Sequence, residues 1–202
     1  MCDVKVGGVA SHSLTVTQLM FSPDGGKLLC VSRDRTWSLH SLQRTGDKLD
    51  ISLLARSQKK SSVISRLIWS CCWSHDSRYF ITASRDKKLV VWGEGEVEGD
   101  WSQTGETLTL PDSVTAVCLG HRLVEAGEAG EAGEYLVAAG LESGNIHLLT
   151  WSCGRGWRQR AVLGQDTAHH NTVTRLAFRP GTNTHLASSS QDTSVRIYHV
   201  KL

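Results

Sequence analysis

Long apolar runs are missing from this 202-residue chain. No stretch approaches the roughly 18 to 20 residues a membrane helix requires, and no basic-then-apolar leader opens it. The expectation is an intracellular protein without membrane contact. Proline is scarce, at three residues, and no segment shows a convincing helical period of apolar residues, so short strands dominate the reading. Paired cysteines are also missing: Cys2, Cys30, Cys71, Cys72, Cys118 and Cys153 are scattered without a C-x-x-C pair. Buried, reduced thiols in a reducing compartment fit that pattern, and disulfides or structural zinc do not. Strong charge of one sign is lacking too, since the net charge is +2, too little to imply nucleic-acid binding without a local basic cluster. No G-x-S-x-G elbow, cysteine triplet or glycine-rich phosphate loop occurs, which removes the usual marks of acyl transfer, iron–sulfur chemistry and nucleotide binding. The chain reads as non-enzymatic, with no cofactor and no small-molecule substrate.

What is present is repetition. Ser32-Arg33-Asp34 is followed by Trp37 and Leu39, Ser84-Arg85-Asp86 by Leu89 and Val91, and Ser190-Gln191-Asp192 by Val195 and Ile197. Apolar residues three and five places after each Asp alternate as on a half-buried strand. The sixth place carries His40, Trp92 and Tyr198. Each copy therefore reads as a turn centred on the Asp that enters a strand ending in a ring. An upstream half repeats as well, in Phe21-Ser22-Pro23-Asp24-Gly25, Trp73-Ser74-His75-Asp76-Ser77 and Phe178-Arg179-Pro180-Gly181. There Pro presets φ and Asp bonds its own backbone, so a tight turn joins two strands.

A degraded unit lies between the second and last copies. Val114–Leu119, Tyr135–Ala139 and Asn145–Leu149 read as its strands, with Ser143 at the Asp position. The low-complexity run at residues 125–134 reads as a flexible acidic insertion. Outer strands are expected at Ile51–Ala55, Thr107–Leu110 and Gln159–Leu163, giving units at about 12–56, 64–110, 113–163 and 169–202. Spacings this long exceed the roughly 40 to 45 residues of a minimal four-stranded blade, and loop insertions account for the excess. The fold class is all-β, a radial array of blades.

These features make the chain resemble the WD-repeat β-propellers. His12 and His169 stand nine residues before Phe21 and Phe178, where that family places a histidine. The resemblance implies hydrogen-bonded networks of His12, Ser32, Asp34 and His40 in the first unit, and of His169, Ser190, Asp192 and Tyr198 in the last. The second unit keeps Ser84, Asp86 and Trp92 but has Ile64 at the histidine place, so its network is expected to be incomplete. Narrower runs, Ser-Arg-Asp-Arg-Thr-Trp-Ser at 32–38, Ile-Trp-Ser-Cys-Cys-Trp-Ser at 68–74 and Ser84 through Glu94, resemble the second-subunit family of the Elongator complex. That family's members are about four times longer, with two seven-bladed rings, so the resemblance implies a C-terminal part and about four blades of an incomplete ring. Such an array exposes sheet faces and is expected to be unstable or prone to aggregate. Val4-Lys5-Val6 is the remaining free strand candidate.

Recurring Ser, His and Asp at blade spacing are better explained as a buried polar network than as a hydrolytic triad. His169-His170 beside Asp166 lacks a second ligand pair at zinc spacing. Trp37, Trp69, Trp73 and Trp92 fall on strand positions and read as core, while one of Trp101, Trp151 and Trp157 could face a partner. The sharpest binding candidates are Arg33, Arg35, Arg85, Lys87 and Lys88, crowded beside the key Asp turns. Guanidinium groups there suit an acidic peptide or, as the rival, an RNA backbone. The resemblance implies a scaffold that contacts other Elongator subunits in cytoplasm and nucleus and supports transfer-RNA wobble-uridine modification, with links to transcription elongation. Direct contact to transfer RNA is expected to be weak or indirect. A generic WD-repeat adaptor of another assembly is the competing expectation.

Overall fold

The computed structural model describes residues 9–45, 48–58, 63–97, 99–123 and 133–201. Val4-Lys5-Val6 and most of the acidic insertion lie outside the described residues. Among those described there is no helix, and sixteen strands form four antiparallel sheets. Blade one is β1 (Val16–Phe21), β2 (Lys27–Ser32), β3 (Trp37–Thr45) and β4 (Lys48–Arg56). Blade two is β5 (Ile68–Trp73), β6 (Tyr79–Ser84), β7 (Lys88–Glu94), β8 (Trp101–Gln103) and β9 (Leu108–Thr109). Blade three is β10 (Val114–Leu123), β11 (Glu134–Leu141), β12 (Ile146–Ser152) and β13 (Gly156–Leu163). Blade four has three strands, β14 (Val173–Phe178), β15 (His185–Ser190) and β16 (Val195–His199). The innermost strands β1, β5, β10 and β14 stand side by side, each packed on the next. This is the arrangement of about four blades of an open propeller.

Two turns set each blade. Between the first and second strands, Asp24 accepts hydrogen bonds from the Ser22 hydroxyl at 2.5 Å and the Gly26 amide at 2.9 Å. Asp76 does the same with Ser74 and Arg78. Gly25 and Ser77 follow in left-handed backbone, at φ 75° and 59°, the geometry that closes such a turn. The second turn is the Asp turn of the repeat. Asp34 Oδ1 accepts from the Thr36 amide at 3.0 Å and its hydroxyl at 2.5 Å, while the Asp34 amide donates to Ser32 Oγ at 3.1 Å. Asp192 repeats this with Ser194 and Ser190.

Every inner strand also carries the same irregularity. Register shifts between Val16 and Gln18, Ile68 and Ser70, Val114 and Ala116, and Val173 and Arg175 leave Thr17, Trp69, Thr115 and Thr174 as extra residues. A bulge at that point bends the strand and re-aims one side chain. Thr17 Oγ1 uses it to donate to the carbonyls of Val31, at 3.1 Å, and Ile68 in the next blade, at 2.6 Å. Thr115 Oγ1 reaches Gly140 and Val173 in the same way.

The core is divided among the blade junctions. Leu29, Val31, Trp37 and Leu39 bury against Ile68, Cys71, Phe80 and Trp92 between blades one and two. Separate clusters fill the second and third junctions. Cys71, Cys72 and Cys118 are buried free thiols within them, and burial pushes each thiol well up from its usual range. The outer strand of blade two departs from expectation. Only Leu108–Thr109 of the anticipated 107–110 strand pairs, with Lys88 and Leu89, and Trp101–Gln103 supplies the rest against Trp92–Glu94. Gly105 in left-handed backbone, at φ 73°, bends the chain away between the two pieces.

Candidate functional site

The histidine networks form, but through different serines from those expected. His12 Nδ1 lies 3.3 Å from Asp34 Oδ2, and its Nε2 lies 2.8 Å from Ser38 Oγ, which continues at 3.0 Å to His40 Nε2. Ser32 is engaged instead with the carbonyls of Leu14 and Thr15. In blade four His169 joins Asp192 at 2.9 Å and Ser188 at 2.6 Å, with Tyr198 beyond Ser188 at 3.3 Å. Ser190 binds the Asn171 carbonyl. Serines at the expected place thus tie the Asp turn to the start of the inner strand. The linking hydroxyls come from different strands: Ser38 lies on β3, two residues before His40 and on the same face, while Ser188 lies on β15, two residues before Ser190.

Blade two closes its network without a histidine. Ile64 is buried at that place, and Asp86 Oδ2 accepts from the Ser65 amide at 2.7 Å and hydroxyl at 2.9 Å. Ser84 Oγ bonds Asp86 Oδ1, and Trp92 Nε1 donates to Thr82 Oγ1 at 2.9 Å. Burial opposes ionisation of Asp34, yet hydrogen bonds from Thr36 and Ser13 outweigh it and hold the carboxyl well below its usual range. Asp192 is held low likewise, with Ser194 as its main donor. These groups brace the blades.

The Asp turns all open on one face, beside the starts of the inner strands. The amides of Arg33, Arg85, Glu142 and Gln191 each donate to an inner-strand entry, at Thr15, Leu67, Ser113 and Thr172. The four side chains are therefore equivalent positions around one axis. Arg33, Arg35 and Arg85 are exposed, and no hydrogen bond or ion pair engages their guanidinium groups among the described residues. Lys87 and Lys88 differ from them: Lys87 Nζ donates to the Pro111 carbonyl at 2.8 Å, and Lys88 Nζ to the Val63 carbonyl at 2.7 Å. Both lysines brace blade-linking segments, so the five basic candidates divide into three free arginines and two tethered lysines. Arg56, absent from the sequence candidates, lies 3.6 Å from Asp34 Oδ2.

A cavity of about 530 Å³ opens on this face and is lined by Trp69, Glu142, Arg175, Gln191 and threonines of the inner strands. Trp69 was expected in the core and instead occupies the bulge, half-buried, with its Nε1 unpaired among the described residues. Aligning Ile68-Trp69 with Val16-Thr17 and Val114-Thr115 was the signal that could have found it. Positive charge thus concentrates over blades one and two, with Glu142 and Gln191 at the matching places of blades three and four.

Repeated bulges, Asp turns and radial sheets define a WD-repeat propeller segment. A family profile for the WD domain, G-beta repeat, matches residues 4–41, 60–93 and 160–199, more than half of the chain, and the chain belongs to that family. The first three strands of the degraded third unit are unmatched by the profile but fold as part of blade three. Within the family the chain is similar to Elongator complex protein 2. The Drosophila melanogaster protein of that name is 41% identical over 190 residues, covering 91% of this chain and 23% of the relative. The Homo sapiens protein is 37% identical over 222 residues, covering 97% and 26%. The Saccharomyces cerevisiae protein is 30% identical over 192 residues, covering 93% and 23%. The chain spans about a quarter of the length of the curated relatives it matches.

Proposed function

We propose that the chain is a non-catalytic scaffold of the Elongator complex, whose turn face holds other Elongator subunits. In that role it supports wobble-uridine modification of transfer RNA, with links to transcription elongation, in cytoplasm and nucleus. The observation that carries the proposal is the set of three exposed arginines, Arg33, Arg35 and Arg85, on rigid turns and without partners among the described residues. Turns already held rigid need no backbone ordering on binding, and guanidinium groups match carboxylates in a bidentate manner. Likeness to Elongator complex protein 2 supports that assembly, and buried Ser, His and Asp networks support structure over hydrolysis.

Affinity purification of the tagged protein from cells is the test. Other Elongator subunits are expected to co-purify, and Arg33→Glu with Arg85→Glu should lower their recovery about tenfold or more while the melting temperature stays unchanged. Recovery of the unaltered protein without any Elongator subunit would sink the proposal. Intact subunit recovery together with weaker, less salt-dependent transfer-RNA binding would assign the arginines to RNA instead.

A further inference from the structure

Neighbouring strands run antiparallel, so the turns that join the first and second strands lie at the opposite end of the blades from the Asp turns. On that opposite face two histidines meet. His75, in the β5–β6 turn of blade two, and His121, near the end of β10 in blade three, bring their ring centroids to 4.3 Å. His121 is fixed in place. Leu119 pairs with Val137 and Arg122 with Tyr135, so Gly120 and His121 form a second bulge in β10. The His121 amide donates to Asn183 Oδ1 at 2.6 Å, its carbonyl accepts from Asn183 Nδ2 at 2.9 Å, and its Nε2 accepts from the Gly181 amide at 2.8 Å. Gly120 lets the blade-four turn come this close, since a Cβ there would stand 2.4 Å from Asn183 Oδ1. Because Nε2 accepts, the proton of the neutral ring sits on Nδ1, which is left as a donor without a partner among the described residues.

A cavity of about 160 Å³ opens beside this ring, and its lining includes Trp73 and His75 of blade two, Leu119 and His121 of blade three, and Phe178 and Arg179 of blade four. These side chains meet where three consecutive blades join. Trp73 is buried and Leu119 and Phe178 are half-buried, whereas His75 and Arg179 are exposed. No hydrogen bond or ion pair engages the His75 ring or the Arg179 guanidinium among the described residues, and no carboxylate lines the cavity. Asp76, beside His75 in the chain, is occupied by the Ser74 hydroxyl, the Arg78 amide and the Tyr135 hydroxyl.

We infer that this cavity is a docking pocket for one glutamate side chain of a partner protein. Its volume is well below the roughly 300 Å³ at which small-molecule sites begin, so it suits a single side chain and not a nucleotide or cofactor. Charge complementarity selects the head group: Arg179, His75 and the His121 Nδ1–H supply donors, with no acidic neighbour to oppose a carboxylate. The apolar side chains select the stem. Methylenes of a glutamate pack on Trp73, Leu119 and Phe178, whereas a free phosphate would use the donors and leave that apolar surface unfilled. The pocket is on the face opposite Arg33, Arg35 and Arg85, so it goes beyond the surface assigned above and gives a partner a second hold on the blades.

Titration of the purified chain with N-acetyl-glutamate N-methylamide, read from the imidazole NMR resonances of His75 and His121, tests the inference. Both rings should shift together and saturate with a millimolar dissociation constant, the strength expected of one partly exposed ion pair with a short packed stem. The glutamine counterpart, equal in shape and uncharged, should leave both rings unmoved. Arg179→Gln should weaken the glutamate probe about tenfold or more at His121 with an unchanged β-sheet circular dichroism spectrum, and His75→Ala, an exposed substitution read at the same ring, is the independent check. Absence of a saturable shift, equal shifts with the glutamine probe, or binding indifferent to Arg179→Gln and His75→Ala would each overturn the inference. So would inorganic phosphate moving the same two rings at lower concentration than the glutamate probe, which would assign the cavity to a phosphate group instead.

Discussion

The position after each key Asp separates backbone demand from side-chain role. Arg35, Lys87 and Thr193 adopt φ 71°, 70° and 69° there, and Gly144 takes 94°. Left-handed backbone costs a residue with a Cβ roughly 1 kcal/mol. Arg35→Gly should therefore hold or raise stability by up to about 1 kcal/mol in chemical denaturation, and any loss would show that the arginine braces the turn. Gly144→Ala should behave oppositely, because a Cβ at that residue would stand 2.0 Å from the His169 carbonyl oxygen. A loss of several kcal/mol is expected, as overpacking against backbone has no flexible neighbour to yield. The two linked serines of blade four give a second contrast. Ser188→Ala strands the buried His169 Nε2, 2.6 Å away, and should cost about 1–3 kcal/mol. Ser190→Ala should cost less, since Ser190 Oγ is only half-buried and bonds backbone groups alone, the Asn171 carbonyl and the Asp192 amide.

At the scale of elements, the blade junction is the unit of stability. Gln18 illustrates it: its side-chain amide donates to the Cys71 carbonyl at 3.1 Å and accepts from the Cys71 amide at 3.1 Å. This clasps β1 to β5 much as a further strand would. Trp37 fills the same junction, edge-on to Phe80 and Trp92 with ring centroids 5.1 Å away in each case. Trp37→Ala should cost about 3–5 kcal/mol in denaturant unfolding, and a loss below 1 kcal/mol would show that blade one unfolds apart from blade two. Strand order was legible in the chain because alternation around each Asp is local and repeated four times, even where Ser143 replaces the Asp. The linking serines were not legible: in blade four Ser188 and Ser190 share one face of β15 and Ser188 is the one that meets His169, whereas in blade one Cys30 stands at the place of Ser188 and the link comes from Ser38 on β3. Trp69 was misplaced because the bulge adds a residue, inverts the alternation and carries the ring from the core to the axis. Arg33 and Arg85 could be picked out from sequence as turn residues, but the tethering of Lys87 and Lys88 depends on linkers more than twenty residues away.

The molecule as a whole stores a pH dependence in its neutral histidines. His40 and His147 are buried. Desolvation lowers the pKa of both, aided at His40 by the neighbouring His12 and opposed at His147 by a hydrogen bond with Gln159. A histidine whose folded pKa lies below its unfolded value of about 6.5 takes up its proton first in the unfolded chain. As pH falls below that value the unfolded state binds more protons, so stability is present at neutral pH and is lost on acidification. Asp34 and Asp192 act in the same direction over a lower window. Their carboxyls are held below the usual range, and their contribution fades only once unfolded aspartates protonate, below about pH 4. Between pH 7.5 and 5.5 the histidines therefore dominate, with a limiting slope of about 1.4 kcal/mol per pH unit for each. His40→Gln keeps an acceptor within reach of Ser11 and Ser38, which lie 3.1 and 3.0 Å from His40 Nε2, and removes the titration. Thermal melts of this variant should fall less steeply over that range than those of the unaltered chain, and parallel slopes for the two would show that His40 does not report the folding equilibrium.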